Sequence, residues 1–186
     1  MLVEGFDKMP TIANIYNYPY YPQMMLKLGY EGKEDWIQFK LKASQSIPEK
    51  MERINKLIKE KYNLKVLSFK KKKELLPYAK PLFNTLNLAF SNLYGYSELT
   101  EKEIDRLVKN YFTFINPELV CIVVDEKDEV VAFGISMPTL SKAFQKAKGK
   151  LFPFGFIHIL KALKNMDEID LYLNGVHPDW QKKGVH

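Results

Sequence analysis

Apolar residues recur along the chain at two different spacings, and together these predict a mixture of helices and strands. Spacings of three and four residues predict helices at about 46–62, 75–93 and 154–165, a further helix from Thr100 that Pro117 ends, and a short one near 142–146. Alternating or unbroken apolar runs predict strands at 64–69, 119–125, 129–137 and 170–176. The predicted order from Leu64 is strand, two helices, antiparallel hairpin, helical insertion and strand. This order indicates a mixed α/β (α+β) layer architecture.

The first 44 residues show a weaker pattern. Strands are predicted at Thr11–Tyr16 and at Trp36–Leu41, with a short helix between them that follows Pro19. The helix is expected to stop at Gly29, because glycine readily adopts the left-handed conformation that ends many helices. We therefore divide the chain into a small unit (1–44), a linker helix (45–62) and a larger domain (63–186).

Charge and composition narrow the classes of partner. The net charge is +6, and lysines are concentrated in Lys70–Lys73 and from Lys142 to Lys150. Such surfaces attract phosphates, whether of coenzyme A or of nucleic acid, although a solvated lysine-rich surface explains most charge runs. No zinc-finger or aromatic–glycine RNA-binding spacing accompanies the lysines. A nucleic-acid-associated domain is therefore a minor alternative.

The remaining composition predicts a cytoplasmic protein without a metal or membrane partner. No apolar stretch approaches the roughly 20 residues needed to span a bilayer. The single cysteine, Cys121, excludes an internal disulfide, and its apolar neighbours predict a buried core residue rather than a nucleophile. Histidine and cysteine do not occur at metal-ligand spacing.

The C-terminal segment carries the pattern that points to chemistry. A strand ending at Gly175-Val176 is followed by a turn and then by Gln181-Lys182-Lys183-Gly184-Val185-His186. A helix beginning at Gly184 would leave its first N–H groups without intrahelical partners and facing the turn, where a pyrophosphate fits. Glycine permits close approach of the backbone, and the two lysines raise the local positive potential.

This segment resembles the acetyl-coenzyme-A motif of the GNAT superfamily of N-acetyltransferases, in which a strand leads into Arg/Gln-x-x-Gly-x-Gly/Ala. Gln181 and Gly184 match the motif, and His186 replaces its small residue. With the element order from Leu64, the resemblance covers the chain from there to its end. It implies an incomplete GNAT fold, with a central, mostly antiparallel sheet flanked by helices. It also implies acetyl-coenzyme A as cosubstrate, bound by the main chain of Asn174 and Val176 and by Gln181, Lys182, Lys183, Gly184, Val185 and His186.

The N-terminal unit resembles the end of a GNAT domain. Asn17 and the segment Leu28-Gly29-Tyr30 are similar to the family's closing helix, and Trp36–Leu41 is similar to its last strand. The stretch from Glu4-Gly5-Phe6-Asp7 to Pro19-Tyr20-Tyr21-Pro22 is similar to a subgroup of long, two-domain acetyltransferase-like bacterial proteins. This similarity implies that Met1 is an internal residue and that the chain is a middle slice of such a protein.

The resemblance implies transfer of an acetyl group to an amine of a small molecule or peptide, by the intact parent protein rather than by this fragment alone. The family's usual acid is a tyrosine on the closing helix, four residues before the glycine. Met25 occupies that position, and Tyr20 and Tyr21 are out of register. We therefore assign no catalytic residue. A GNAT-like domain that binds or acts as a scaffold without catalysis remains an alternative.

Overall fold

The computed structural model describes residues 1–44, 46–112 and 115–185, which contain four β-strands and six α-helices. The strands are β1 (Lys65–Ser68), β2 (Val120–Val124), β3 (Val130–Pro138) and β4 (Ile169–Val176). The helices are α1 (Tyr20–Lys27), α2 (Glu49–Tyr62), α3 (Leu76–Phe90), α4 (Glu101–Tyr111), α5 (Ser141–Ala147) and α6 (Gly155–Ala162). The mixed α/β class predicted from the sequence is confirmed at this level.

The sheet has the order β1-β2-β3-β4, so each strand lies beside its neighbour in sequence. β1 and β2 run antiparallel with Ser68 opposite Cys121, and β2 and β3 run antiparallel with Ile122 opposite Phe133. The turn between β2 and β3 is closed by the Asp125 carboxylate, which accepts hydrogen bonds from two backbone N–H groups of the turn at 2.9 and 3.0 Å. The predicted hairpin is therefore confirmed.

One face of the sheet forms the core with α3 and α4. Alternation along β2 turns Ile122 and Val124 into this core, where they are almost completely buried, and turns Cys121 to the opposite face. The prediction that Cys121 is buried is therefore wrong, because a five-residue apolar run does not reveal which side chains face inward. The residue is exposed, yet desolvation by surrounding atoms raises the pKa of its thiol, with Lys59 acting in the opposite direction.

Two polar arrangements fix the helices that cover this core. Thr100 and Glu103 form the capping box at the start of α4, with the Glu103 amide donating to the Thr100 hydroxyl and the Thr100 amide to the Glu103 carboxylate. In α3 the buried Asn87 amide donates to the Leu99 carbonyl at 2.9 Å. Its oxygen accepts from the Leu99 N–H and from the Tyr96 hydroxyl. These bonds tie the α3–α4 connection to α3.

The chain divides into two units. One contains Met1–Phe39 and Pro138–Asp170, and the other contains Lys40–Met137 and Leu171–His186. In the first unit the short helix predicted before Gly29 is confirmed as α1, and Gly29 has the expected positive φ of 85°. The predicted division at residues 44 and 62 concerns ancestry and stays a prediction.

The two strands predicted in the N-terminal segment are wrong. Thr11–Tyr16 and Trp36–Leu41 have no regular secondary structure, and most of their side chains are exposed. A strand requires a neighbouring strand to take its backbone hydrogen bonds. Alternating polarity alone does not supply one.

Candidate functional site

The end of β4 brings the sequence-predicted strand residues to an edge of the sheet. β4 is the last strand in the sheet order, so no strand covers its outer side within the described residues. Asn174 and Val176 share one face of β4, since side chains alternate along a strand. Gly175 between them faces the core, where a Cβ atom would lie 2.8 Å from a ring carbon of Phe133. Glycine therefore lets β4 lie close to β3 at this point.

The chain leaves β4 through a tightly bonded turn. The His177 N–H donates to the Val131 carbonyl at 2.8 Å, and Nδ1 of His177 accepts from the Asp179 N–H at 3.3 Å. Pro178–Trp180 then forms one turn of 3-10 helix. The side-chain amide of Gln181 donates to the Val176 carbonyl at 3.2 Å. Gln181 therefore ties the far side of the turn back to the end of the strand.

The backbone beyond Gln181 alternates between left-handed and ordinary conformations. Lys182 has a φ of 63° and Gly184 a φ of 77°, while Lys183 between them has no positive φ. Within the part of the chain that the structure describes, the N–H groups of Lys182, Gly184 and Val185 donate no hydrogen bond. Alternation of this kind occurs in backbone nests, which bind anions through successive N–H groups. The Lys183 N–H donates to the Trp180 carbonyl at 3.4 Å. Only the N–H groups of Gly184 and Val185 are therefore adjacent groups without acceptors among the described residues.

Helix α2 supports this turn from one side. The Trp180 and Tyr62 rings meet edge to face with centroids 5.7 Å apart, and the Lys183 ammonium lies 4.5 Å from the Trp180 ring centroid. A Cβ atom on Gly184 would lie only 2.7 Å from Cδ1 of Ile58. Sequence reasoning missed Ile58, Tyr62 and Trp180, because no local spacing links α2 to the C-terminal segment.

Not every predicted site residue is joined to the others. Gln181 is bonded to Val176 and Lys183 stacks on Trp180, whereas Asn174 is exposed on its strand and Val185 is half-buried. His186 lies outside the described residues. Met25, four residues before Gly29, lies half-buried on α1.

An apolar cavity of about 60 Å³ lies between α3, α4 and the sheet. Among the described residues, only apolar and aromatic side chains line it, including Leu82, Phe83, Leu107, Ile122 and Ile135. A lining of this character favours hydrocarbon over polar groups.

The described residues contain neither a cluster of three metal-ligating side chains nor a helix long and apolar enough to cross a bilayer.

Comparison with known proteins gives two relatives and no matching family model. The chain is 24% identical over 169 residues to Protein YghO of Escherichia coli K12, covering 88% of this chain and 41% of that protein. It is 28% identical over 167 residues to a bacterial ceramide synthase of Caulobacter vibrioides, covering 88% and 42%. The chain thus spans about two fifths of the length of the curated relatives it matches.

Proposed function

We propose that the chain is part of an N-acyltransferase that uses an acyl-coenzyme A donor, and that β4 and the turn after it form the first half of the coenzyme A site. The observation that carries the proposal is the turn itself. Three backbone N–H groups there, those of Lys182, Gly184 and Val185, have no acceptor in the described structure, and the turn that carries them follows β4, whose outer side no described strand covers. Pyrophosphates bind at such groups.

The residues present fit coenzyme A in two respects. The N–H groups of the turn, with the Lys183 ammonium close by, would hold the pyrophosphate, and β4 would offer main-chain partners to the pantetheine arm at Asn174 and Val176. The Val176 carbonyl already accepts one bond from Gln181, yet a carbonyl oxygen has two lone pairs and can accept another. Lys182, next to the same N–H groups, adds positive charge. His186 stays a predicted contact.

The name of one relative, the bacterial ceramide synthase, supports amide formation in particular. A ceramide is the N-acyl derivative of a long-chain amino alcohol, so a ceramide synthase makes an amide bond, as an N-acetyltransferase does. The reaction we propose joins an amine nitrogen to the thioester carbonyl carbon, breaks the carbon–sulfur bond and releases coenzyme A, whose sulfur receives a proton. Acetyl-coenzyme A is the donor implied by the GNAT resemblance, whereas the ceramide synthase supports a longer acyl chain.

The apolar cavity bears on the length of that chain. Its volume of about 60 Å³ is well below the ~150 Å³ of a cavity that holds benzene. As it stands, the cavity has room for only a few carbon atoms. An acyl group that occupied it would be short or would place only its end there, and the described residues that line the cavity include none of β4 or of the turn.

The remaining features of the parent protein are also proposals. We propose a cytoplasmic protein of the relatives' length, in which residues 1–44 end one GNAT-like domain, 45–62 link it to the next, and 63–186 begin the second. The acceptor would be the amine of a small molecule or a peptide. A domain that binds coenzyme A without catalysis is the alternative, and Met25 in place of the usual tyrosine favours it.

Calorimetric titration of the purified chain with coenzyme A tests the binding proposal. We expect binding that weakens at least tenfold in Gly184→Asp, because a carboxylate would face the pyrophosphate. Gly184→Ala is the matched control, since it places the same Cβ atom 2.7 Å from Cδ1 of Ile58 without adding a charge. Equal affinities of both variants, or no binding to a protein extended to the relatives' length, would remove the proposal.

Activity separates the enzyme from the scaffold. The extended protein is supplied with acyl-coenzyme A donors of increasing chain length and with amines that include a long-chain amino alcohol, and release of the free thiol is followed. Thiol release that depends on the amine supports the acyltransferase. Binding of coenzyme A without thiol release supports the scaffold.

A further inference from the structure

We propose that the α5–α6 region, residues 141–166, is a docking surface for anionic lipid bilayers. This region, here called the basic apolar segment, contains six lysines and no aspartate or glutamate. One of the lysines, Lys142, lies 3.5 Å from the Glu168 carboxylate. The other five, all exposed, have no ion pair within the described residues. They are Lys146, Lys148, Lys150, Lys161 and Lys164.

Large apolar side chains are exposed in the same segment. Phe152 is 79% exposed and Phe154 69%, at the tip of the connection between the two helices. Leu151, Phe156, Ile157 and Leu160 are exposed as well. Single exposed apolar residues are normal on protein surfaces, but a series of them interleaved with lysines requires an explanation.

The tip is a built structure rather than a loose loop. Ala143 and Ala147 on α5 are buried, and the Phe156 N–H donates to the Leu151 carbonyl at 2.9 Å. A Cβ atom on Gly155 would collide with the Lys150 carbonyl oxygen at 1.8 Å, so the chain closes tightly on itself there. The fold therefore buries small residues on one side and leaves the phenylalanines outside.

The positive charge and the exposed apolar side chains of the segment together point to an anionic bilayer as its partner. Five lysines without an ion-pair partner among the described residues complement a surface of phosphates, and exposed aromatic rings insert between lipid headgroups. A solvated lysine face explains the charge but not the phenylalanines. The prediction of no membrane partner rests on the lack of an apolar stretch that could span a bilayer. Docking at the surface of a bilayer does not need such a stretch. The inference also stands independently of acyl transfer, because it uses only this segment.

Vesicle flotation with the purified chain tests the inference, without any coenzyme A. We expect binding to phosphatidylcholine vesicles that contain phosphatidylglycerol, and much weaker binding to phosphatidylcholine alone. A lysine near an anionic surface contributes roughly fivefold to partitioning. The triple variant Lys146→Gln/Lys150→Gln/Lys164→Gln should therefore reduce binding by about 100-fold. Its matched control, Lys50→Gln/Lys70→Gln/Lys73→Gln, removes equal charge elsewhere and should reduce binding far less.

The apolar part of the segment needs its own variant. Phe152→Ser/Phe154→Ser should weaken vesicle binding, whereas Leu93→Ser/Tyr94→Ser, also at exposed positions, should leave it nearly unchanged. Far-UV circular dichroism verifies that each variant is folded. Two results would overturn the inference. One is no binding to either kind of vesicle, including the case in which the segment lysines control binding to duplex DNA instead. The other is an equal loss of vesicle binding in the segment variants and in their controls.

Discussion

Replacing Gly175 by alanine gives a direct test of how β4 is held against the sheet. The added Cβ would lie 2.8 and 3.0 Å from two ring carbons of Phe133 and 3.4 Å from Cβ of Ala89. Ordinary carbon–carbon contacts are about 3.5–4.0 Å. Phe133 is 5% exposed and belongs to the core, so its ring has little room to move away.

The size of the expected change in the free energy of unfolding follows from comparison with Gly134→Ala on the neighbouring strand. Both changes remove a glycine from a strand interior, which by itself stabilises by about 0.5–1 kcal/mol. A Cβ on Gly134 meets no atom within 4 Å. The difference between the two variants therefore isolates the overpacking at Phe133, typically about 1–3 kcal/mol. We expect Gly134→Ala to raise the free energy of unfolding and Gly175→Ala to lower it.

Urea unfolding followed by tryptophan fluorescence measures this difference. The chain has two tryptophans, so a Trp36→Phe background leaves Trp180, which contacts Tyr62 in the same unit as the sheet. With a slope of about 1–2 kcal/mol per molar urea, the midpoints of the two alanine variants should differ by roughly 1 M. Phe133→Leu should recover part of the loss in the Gly175→Ala background. Identical midpoints for the two alanine variants would refute the packing argument.

Three further predictions concern other parts of the same unit. Asn87→Ala should lower the free energy of unfolding, measured in urea, by about 2–3 kcal/mol, because it leaves the Leu99 N–H and carbonyl and the Tyr96 hydroxyl without their partner. A smaller loss of stability than in Tyr96→Phe would contradict this. Thr100→Ala should cost about 1 kcal/mol in the same assay and Thr100→Ser much less, since serine keeps the cap of α4. The raised pKa of Cys121 leaves less thiolate at pH 8 than in a free cysteine, so iodoacetamide should react slowly with Cys121 and faster as the pH rises. Lys59→Gln removes a cation that lowers this pKa and should slow the reaction further. A faster reaction in this variant would contradict the role given to Lys59.

Local signals predicted the second unit well and the N-terminal segment poorly, for a physical reason. The Thr100 capping box, the Asp125 turn and the apolar spacing of α2 act within a few residues, so they are visible in the sequence. A strand such as the one expected at Trp36–Leu41 depends instead on a partner elsewhere. The support that Tyr62 gives to Trp180 depends on tertiary contact in the same way. Sequence patterns therefore located the turn after β4 without revealing what holds it.

Contact with α2 also changes what the glycine of the motif means. Gly184 has a positive φ, and Cδ1 of Ile58 occupies the space that its Cβ would need. The fold itself therefore favours glycine at this position, whether or not a phosphate binds. A Gln-x-x-Gly spacing alone is weak support for a cofactor site. The N–H groups of Lys182, Gly184 and Val185, which have no acceptor among the described residues, are stronger support, because the packing of α2 does not require them to remain without acceptors.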